Sequence, residues 1–179
     1  MWGLFFNCDR VSIRLSAPIL ITGATGFIGR YLVRRLSAAG DPARVRCLVR
    51  SGSDVAELEH LGVELIRGDV TDWEALRAAT QGCQQVVHLA NLYSFWEPDP
   101  SIYRRVNVEG TRLTAQAAIE AGVELFLHVS TVAIFGHPTE VPFNEASAPG
   151  PRRFSEYART KYEGDLIVEQ MAREAALPL

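Results

Sequence analysis

The sequence predicts an α/β protein: a doubly wound, mostly parallel sheet of Rossmann type with helices on both faces. Three observations carry this. From Pro18 onward, short β-branched runs alternate with helix-like stretches, the pattern of parallel βαβ units. A glycine-rich turn, Thr22-Gly23-Ala24-Thr25-Gly26-Phe27-Ile28-Gly29, joins the first such run to the first helix. Gly40, Gly62, Gly82 and Gly122 each stand just past a helix-like stretch, where a left-handed cap favours glycine.

In order, strands are predicted over 19–22, 44–49, 64–66, 85–89 and 124–130. Helices are predicted over 27–39, 54–61, 73–79, 102–121 and 156–175. Asp72 and Ser101 are suited to cap the helices just after them. Residues 1–17 read as an N-terminal extension, in which alternating Val11, Ile13 and Leu15 are compatible with an extra edge strand. Residues 18–179 read as one dinucleotide-binding domain. Leu177-Pro178-Leu179 arrives where a further strand should begin, so the domain is expected to stop short of a C-terminal substrate-binding part.

Composition narrows the function classes. Apolar residues make up 47% of the 179 residues, and the net charge is −3, as in an ordinary globular domain. The 18 basic residues are interspersed with 21 acidic ones, so no nucleic-acid footprint is expected. No apolar run is long enough for a membrane span. Cys8, Cys47 and Cys83 fit no metal spacing, so no metal site is expected. The start, MWGLFFNCDR, lacks the features of a secretion signal. Free thiols then point to a reducing cytoplasm.

In the glycine turn, Gly23 permits the tight bend, Gly26 admits a pyrophosphate to the backbone, and Gly29 allows close helix–strand packing. The helix start supplies free N–H groups for phosphate. The second strand ends Val49-Arg50-Ser51. An arginine there favours a 2′-phosphate, which leans the cofactor towards NADP, with NAD the alternative. A solvated surface arginine is the competing reading, and Asp54 suits the cap of the next helix. Asp69 and Val70 come just after the third strand, where they border an adenine or simply make a turn. The fourth strand ends His88-Leu89-Ala90-Asn91. Small Ala90 allows a cofactor to lie across its tip, and His88, among apolar neighbours, reads as a core histidine.

The fifth strand ends His128-Val129-Ser130-Thr131, bringing hydroxyls to the carboxyl edge of the sheet. After a proline-rich loop, Tyr157 and Lys161 stand four apart on one helix face. Lowering a phenol's pKa by about three pH units requires roughly 4 kcal/mol. An ammonium at about 5 Å supplies on the order of 3 kcal/mol at an effective dielectric of 20. A lysine beside a charged nicotinamide is therefore sufficient to make Tyr157 an acid–base group.

Taken together, TGATGFIG, GDVTD, HLAN, NVEGT, HVSTVAIFG and YARTK resemble the extended branch of the short-chain dehydrogenase/reductases, the NAD-dependent epimerase/dehydratase family. The resemblance implies Thr131, Tyr157 and Lys161 as the catalytic set. It implies cofactor contacts from Gly23, Thr25, Gly26, Phe27, Ile28 and Gly29, and from Asp69, Val70, Leu89, Ala90, Asn91, Asn107 and Ser130, besides Tyr157 and Lys161. Family dehydratases carry an acidic pair after the catalytic threonine, whereas this chain has Val132-Ala133. The sequence looks most similar to dihydroflavonol 4-reductase-like members, which interconvert an alcohol and a carbonyl by hydride transfer. Leu92, Tyr93, Phe95 and Trp96 would then wall the substrate site, or else pack on another part of the protein. A nucleotide-sugar epimerase using the same triad and a non-catalytic dinucleotide-binding fragment are the alternatives. The resemblance also implies a homodimer through the helices over 102–121 and 156–175, with Ala115, Ala117, Ala118 and Ala121 as a small-residue surface, a pattern that equally suits packing on the sheet. The expected partner is otherwise a small-molecule substrate.

Overall fold

In the computed structural model, residues 17–138 and 140–179 are described; the edge strand expected around Val11, Ile13 and Leu15 lies outside them. Five parallel strands form one sheet: β1 (Ile19–Thr22), β2 (Val45–Val49), β3 (Glu64–Arg67), β4 (Gln85–His88) and β5 (Leu125–His128). Their order is β3-β2-β1-β4-β5. The chain builds from β1 to one edge and then returns to build the other, so the winding reverses between β1 and β4. That reversal opens a crevice at the carboxyl ends of the strands, the place where open α/β sheets bind ligands.

The connecting helices are α1 (Phe27–Ala39), α2 (Ala56–His60), α3 (Trp73–Thr80), α4 (Ser101–Tyr103), α5 (Thr111–Ala121) and α6 (Glu156–Glu174). Period-two alternation divides the strands between two cores. Leu20, Leu48, Val86 and Phe126 pack with Leu76, Ala79, Ala115, Ala118 and Val168 of α3, α5 and α6. Ile19, Ile21, Val45, Cys47, Val49 and Val87 pack with Val33, Leu36 and Leu58 of α1 and α2. Each such aliphatic burial is worth about 1.5–3 kcal/mol, which explains strands that are apolar on both faces. Burial pushes the Cys47 thiol up to about 12, so it serves as a core residue and not a nucleophile.

The edge strand β5 differs. Phe126 is fully buried on the α6 side, while Leu125 and Leu127 are 40% and 43% exposed on the other. At its outer edge the Phe126 N–H donates to the Pro178 carbonyl at 2.6 Å, and Leu177 enters the core. The expected start of a further strand position is thus occupied by the last residues. Ala176 takes a left-handed φ of 56° to bring them there.

Several expectations need correction. Gly62, Gly82 and Gly122 take positive φ, but Gly40 sits at φ −152°; the chain leaves α1 extended towards the capped turn at Asp41. Asp72 caps α3 by accepting Ala75 N–H. Ser101 does not cap: it is the first residue of α4, and the Asp99 carboxylate accepts its N–H at 3.0 Å. The helix expected over 102–121 is interrupted by a π-helical segment, Arg104–Gly110. Ala115, Ala117 and Ala118 are at most 1% exposed. With partly buried Ala121 they pack into the core of their own chain, the other use that such a small-residue surface suits.

Candidate functional site

The glycine turn is shaped by close approach as well as by dihedral. Gly23 has φ +71°, and a Cβ there would lie 2.7 Å from Ala90 N. Its hydrogen atom is therefore what lets the turn lean on the tip of β4. A Cβ on Gly29 would lie 2.2 Å from Gly23 O, and one on Gly26 would lie 3.2 Å from the same atom. Gly26 N–H closes the turn onto Gly23 O at 3.0 Å. No side chain caps α1, and its first turn holds no acidic residue. Its leading N–H groups and the positive end of its dipole thus face the crevice. Phe27 and Ile28 are exposed beside it. This cradle fits a pyrophosphate, the group implied by the sequence.

Arg30, to which no sequence motif points, braces that cradle. Its guanidinium donates to Thr25 O at 2.9 Å, to Asp54 Oδ2 at 3.2 Å and to Glu57 Oε2 at 3.2 Å. Asp54 also caps Ala56 N–H. The acidic side chain nearest the end of β2 is therefore committed, whereas Arg50 is exposed. Among the described residues no hydrogen bond or ion pair engages the Arg50 side chain.

Asp69 accepts both the N–H and the hydroxyl of Thr71 through Oδ1, and Val70 is buried against Gly110. Leu89 and Ala90 form the half-buried tip of β4, and exposed Asn91 donates back to Leu89 O. Asn107, expected against the cofactor, is instead 1% exposed. Its amide accepts Leu92 N–H at 2.7 Å and donates to Leu92 O and Thr160 Oγ1. It fixes the loop after β4 to α6. The π-helical segment makes this possible by turning Asn107 inward, and π turns recur where a side chain must be re-aimed at a site. Gly164 lets α6 approach, since a Cβ there would stand 2.7 Å from Asn107 O.

Thr131 stands at the start of a 3-10 turn, Val132–Phe135, and its Oγ1 accepts Ala133 N–H at 3.3 Å. The Thr131 side chain lies close enough to the Tyr157 hydroxyl to act on its protonation. The structure thus joins two of the three residues singled out from sequence. Ser155 begins the helix that presents them, its side chain accepting Ala158 N–H at 3.1 Å. Burial pushes the Tyr157 phenol above its ordinary value; the nearby Thr131 side chain opposes this, and Tyr93 and Asp165 add to it. Lys161 does not counter this rise. Instead Lys161 Nζ donates to Val129 O at 2.8 Å and lies 3.4 Å from His128 Nε2. Burial pulls its ammonium below the usual lysine range, against the opposing pull of Asp165.

Ser130, expected to face the cofactor, donates its hydroxyl to Asp165 Oδ2, and His128 Nε2 meets Asp165 Oδ1 at 2.9 Å. Neither His128 nor Asp165 is singled out by sequence motifs. The available signal was spacing: Tyr157, Lys161 and Asp165 recur every four residues on α6, and His128 and His88 are register partners. Beside Tyr157 lie aromatic rings. Tyr93 meets it edge-on with centroids 5.1 Å apart, and Phe95 meets Tyr93 at 5.6 Å. Tyr93, Phe95 and Trp96 are all more than two-thirds exposed. Two shallow depressions flank the outer side of α6, near Phe154–Tyr162 and near Pro100–Arg105; neither contains Thr131 or Tyr157. Among the described residues no helix is long and apolar enough to cross a membrane.

Comparisons with known proteins agree with this fold. The chain is 39% identical over 153 residues to "Sterol demethylase protein B" of Methylococcus capsulatus, covering 84% of this chain and 46% of the relative. It is 35% identical to "Putative dihydroflavonol 4-reductase" of a Synechocystis strain, covering 84% and 43%. A UDP-glucose 4-epimerase of Rhizobium meliloti matches at 31%, covering 89% and 47%. The crystal structure of gox2253 superposes with a TM-score of 0.81 at 37% identity, covering 90% of this chain and 49% of that one. DesIV, a dTDP-glucose 4,6-dehydratase from Streptomyces venezuelae with NAD and TYD bound, superposes at 0.79 and 28% identity, covering 89% and 53%. The chain thus spans about half the length of the relatives it matches. Residues 19–179 match the family described as NAD dependent epimerase/dehydratase, and with the site just described the chain belongs to that family.

Proposed function

We propose that this chain is the cofactor-binding half of an NADP(H)-dependent reductase that interconverts a ketone and an alcohol on an apolar, dihydroflavonol-like substrate. The observation that carries this is the nearness of the Thr131 side chain, just beyond the carboxyl end of β5, to the Tyr157 phenol, on the sheet edge that the glycine cradle also faces. When bound, the reduced nicotinamide supplies a hydride to the carbonyl carbon. Thr131 binds the carbonyl oxygen: Oγ1 already accepts Ala133 N–H, and its own proton can orient the substrate. Tyr157, its phenol held protonated by burial, gives its proton to that oxygen as the alcohol forms. Lys161 provides the positive charge that steadies the resulting phenolate. Val132-Ala133 in place of an acidic pair argues against dehydration. Exposed Tyr93, Phe95 and Trp96 suit a flat apolar substrate, as does the name of the dihydroflavonol reductase relative. The unengaged Arg50 beside the ion-paired Asp54 supports NADP over NAD.

The test is coenzyme oxidation with a panel of apolar ketones. Tyr157→Phe is expected to lower turnover by about 10²–10⁴-fold while coenzyme binding persists. Arg50→Glu is expected to weaken NADPH binding at least tenfold relative to NADH, on the order of 1.4 kcal/mol. Turnover that survives in Tyr157→Phe would sink the reading. The epimerase relative keeps a second reading in view; an epimerase returns the hydride to its own substrate and oxidises no free coenzyme.

A further inference from the structure

We propose that Asp165, clamped by His128 and Ser130, is a positioning residue that keeps the buried Lys161 charged and held in place. This rests on reading Lys161 as the basic partner of Tyr157. Lys161 is 2% exposed, and a buried ammonium persists only with a compensating charge or hydrogen-bond acceptors. The Val129 carbonyl supplies one acceptor at 2.8 Å. The titratable groups that act on or touch Lys161 are His128 from β5, His88 from β4 and Asp165 from α6 itself, with Tyr157 one turn away on the same helix. Asp165 brings the one carboxylate among them. It lies one helical turn beyond Lys161, as Tyr157 lies one turn before, so the three share a face of α6.

What singles out Asp165 is how firmly it is held. The carboxylate spends Oδ1 on His128 Nε2 at 2.9 Å and Oδ2 on the Ser130 hydroxyl. His128 Nε2 cannot both donate to the carboxylate and accept from Lys161. The shorter contact assigns its proton to Asp165, so the 3.4 Å approach of Lys161 is proximity to a neutral ring. His128 Nδ1 is then a bare acceptor, and it is indeed buried without a partner. An orphaned ring nitrogen is the cost of aiming Nε2 at the carboxylate. Stacking on His88, with centroids 5.7 Å apart, fixes the ring plane. The cluster contains neither Thr131 nor Tyr157; it acts on the reaction through Lys161.

The chain contains a single lysine, so protein made with isotope-labelled lysine gives one side-chain ammonium signal, and its pH titration reads Lys161 alone. In Asp165→Asn the midpoint is expected to fall by about one pH unit or more, the effect of removing an opposite charge nearby. Asp165→Glu, which restores the charge, is expected to recover most of it. If Asp165→Asn fails to fold, Ser130→Ala loosens the same carboxylate and is expected to lower the midpoint in the same direction. Midpoints equal to wild type in whichever of these variants folds overturn the proposal. In the active protein, the alkaline limb of carbonyl reduction moves down with the lysine midpoint. A displaced midpoint in a protein that oxidises no coenzyme would spare this proposal and remove the reading beneath it.

Discussion

The Nδ1 of His88 accepts the hydroxyl proton of Thr22 at 2.8 Å, and this bond fixes the direction of a chain of protons across the sheet. Thr111 spends its only hydroxyl proton on Asn107 O at 2.9 Å. His88 Nε2, 3.0 Å from Thr111 Oγ1, must therefore carry the ring proton. Thr22 in turn accepts Ala90 N–H at 3.2 Å. The tip of β4, the end of β1 and the π-helical segment are thus tied through one fully buried ring. His88→Ala would open a cavity and leave the buried Thr22 hydroxyl without its acceptor. A loss of about 3–5 kcal/mol is expected, read as a reduced denaturation midpoint.

The same ring gives stability a pH dependence. Burial holds the pKa of His88 well below the usual histidine value, and burial lowers that of His128 as well. Both are depressed in the folded state, so below the unfolded value, near 6.5, the unfolded chain binds more protons. Stability is whole above about pH 6.5 and falls as the pH drops towards the folded values, by at most ~2.7 kcal/mol per pH unit for two groups. Urea titrations at pH 7.5 and pH 5.5, values chosen about one pH unit either side of 6.5, check this. Equal stabilities at both would contradict it.

Tyr157 makes a kinetic counterpart. Its phenol is raised by burial, so it remains a proton donor at neutral pH. Carbonyl reduction is expected to hold level through neutral pH and decline only in the alkaline range, as the donor ionises or Lys161 discharges. The reverse oxidation should rise with pH. A reduction rate already falling near pH 7, about three pH units below the ordinary phenol value, would point to another donor.

Two glycines separate binding from folding. At Gly29 a methyl group would meet backbone Gly23 O at 2.2 Å. Gly29→Ala is therefore expected to displace the phosphate cradle and weaken coenzyme binding at least tenfold, about 1.4 kcal/mol. At Gly164 the obstacle is Asn107 O at 2.7 Å, away from that cradle. Gly164→Ala should cost about 1–3 kcal/mol of stability through overpacking and displace the loop that Asn107 holds. Coenzyme titration and thermal melts of the two variants distinguish these outcomes.

Ala176 offers the opposite sign. It occupies a left-handed φ of 56° just after α6, a conformation that glycine adopts without strain. Ala176→Gly is expected to stabilise the protein by roughly 1 kcal/mol, seen as a raised melting temperature.

Residue types and spacings alone were enough for the β/α alternation, the parallel class, the glycine turn, and the nearness of Thr131 to a helix bearing Tyr157 and Lys161. These are local or periodic properties: a two-residue period buries both faces of a strand, and a four-residue spacing aligns side chains on a helix. The C-cap expectation held at Gly62, Gly82 and Gly122 but not at Gly40, because the backbone just past a helix is set by where the next turn must go. Asn107 looked like a cofactor ligand, and only the π-helical turn reveals that its amide is spent on Leu92 and Thr160.

The sequence by itself determined the order of strands and helices and which polar residues stand at the strand tips. The tertiary structure decided what those residues do with their polar atoms. Lys161 donates to the Val129 carbonyl, and Asp165 gathers His128 and Ser130 across more than thirty residues of chain. Those pairings join strand to helix through space, where hydrogen-bond geometry and desolvation act on atoms that linear spacing leaves unrelated.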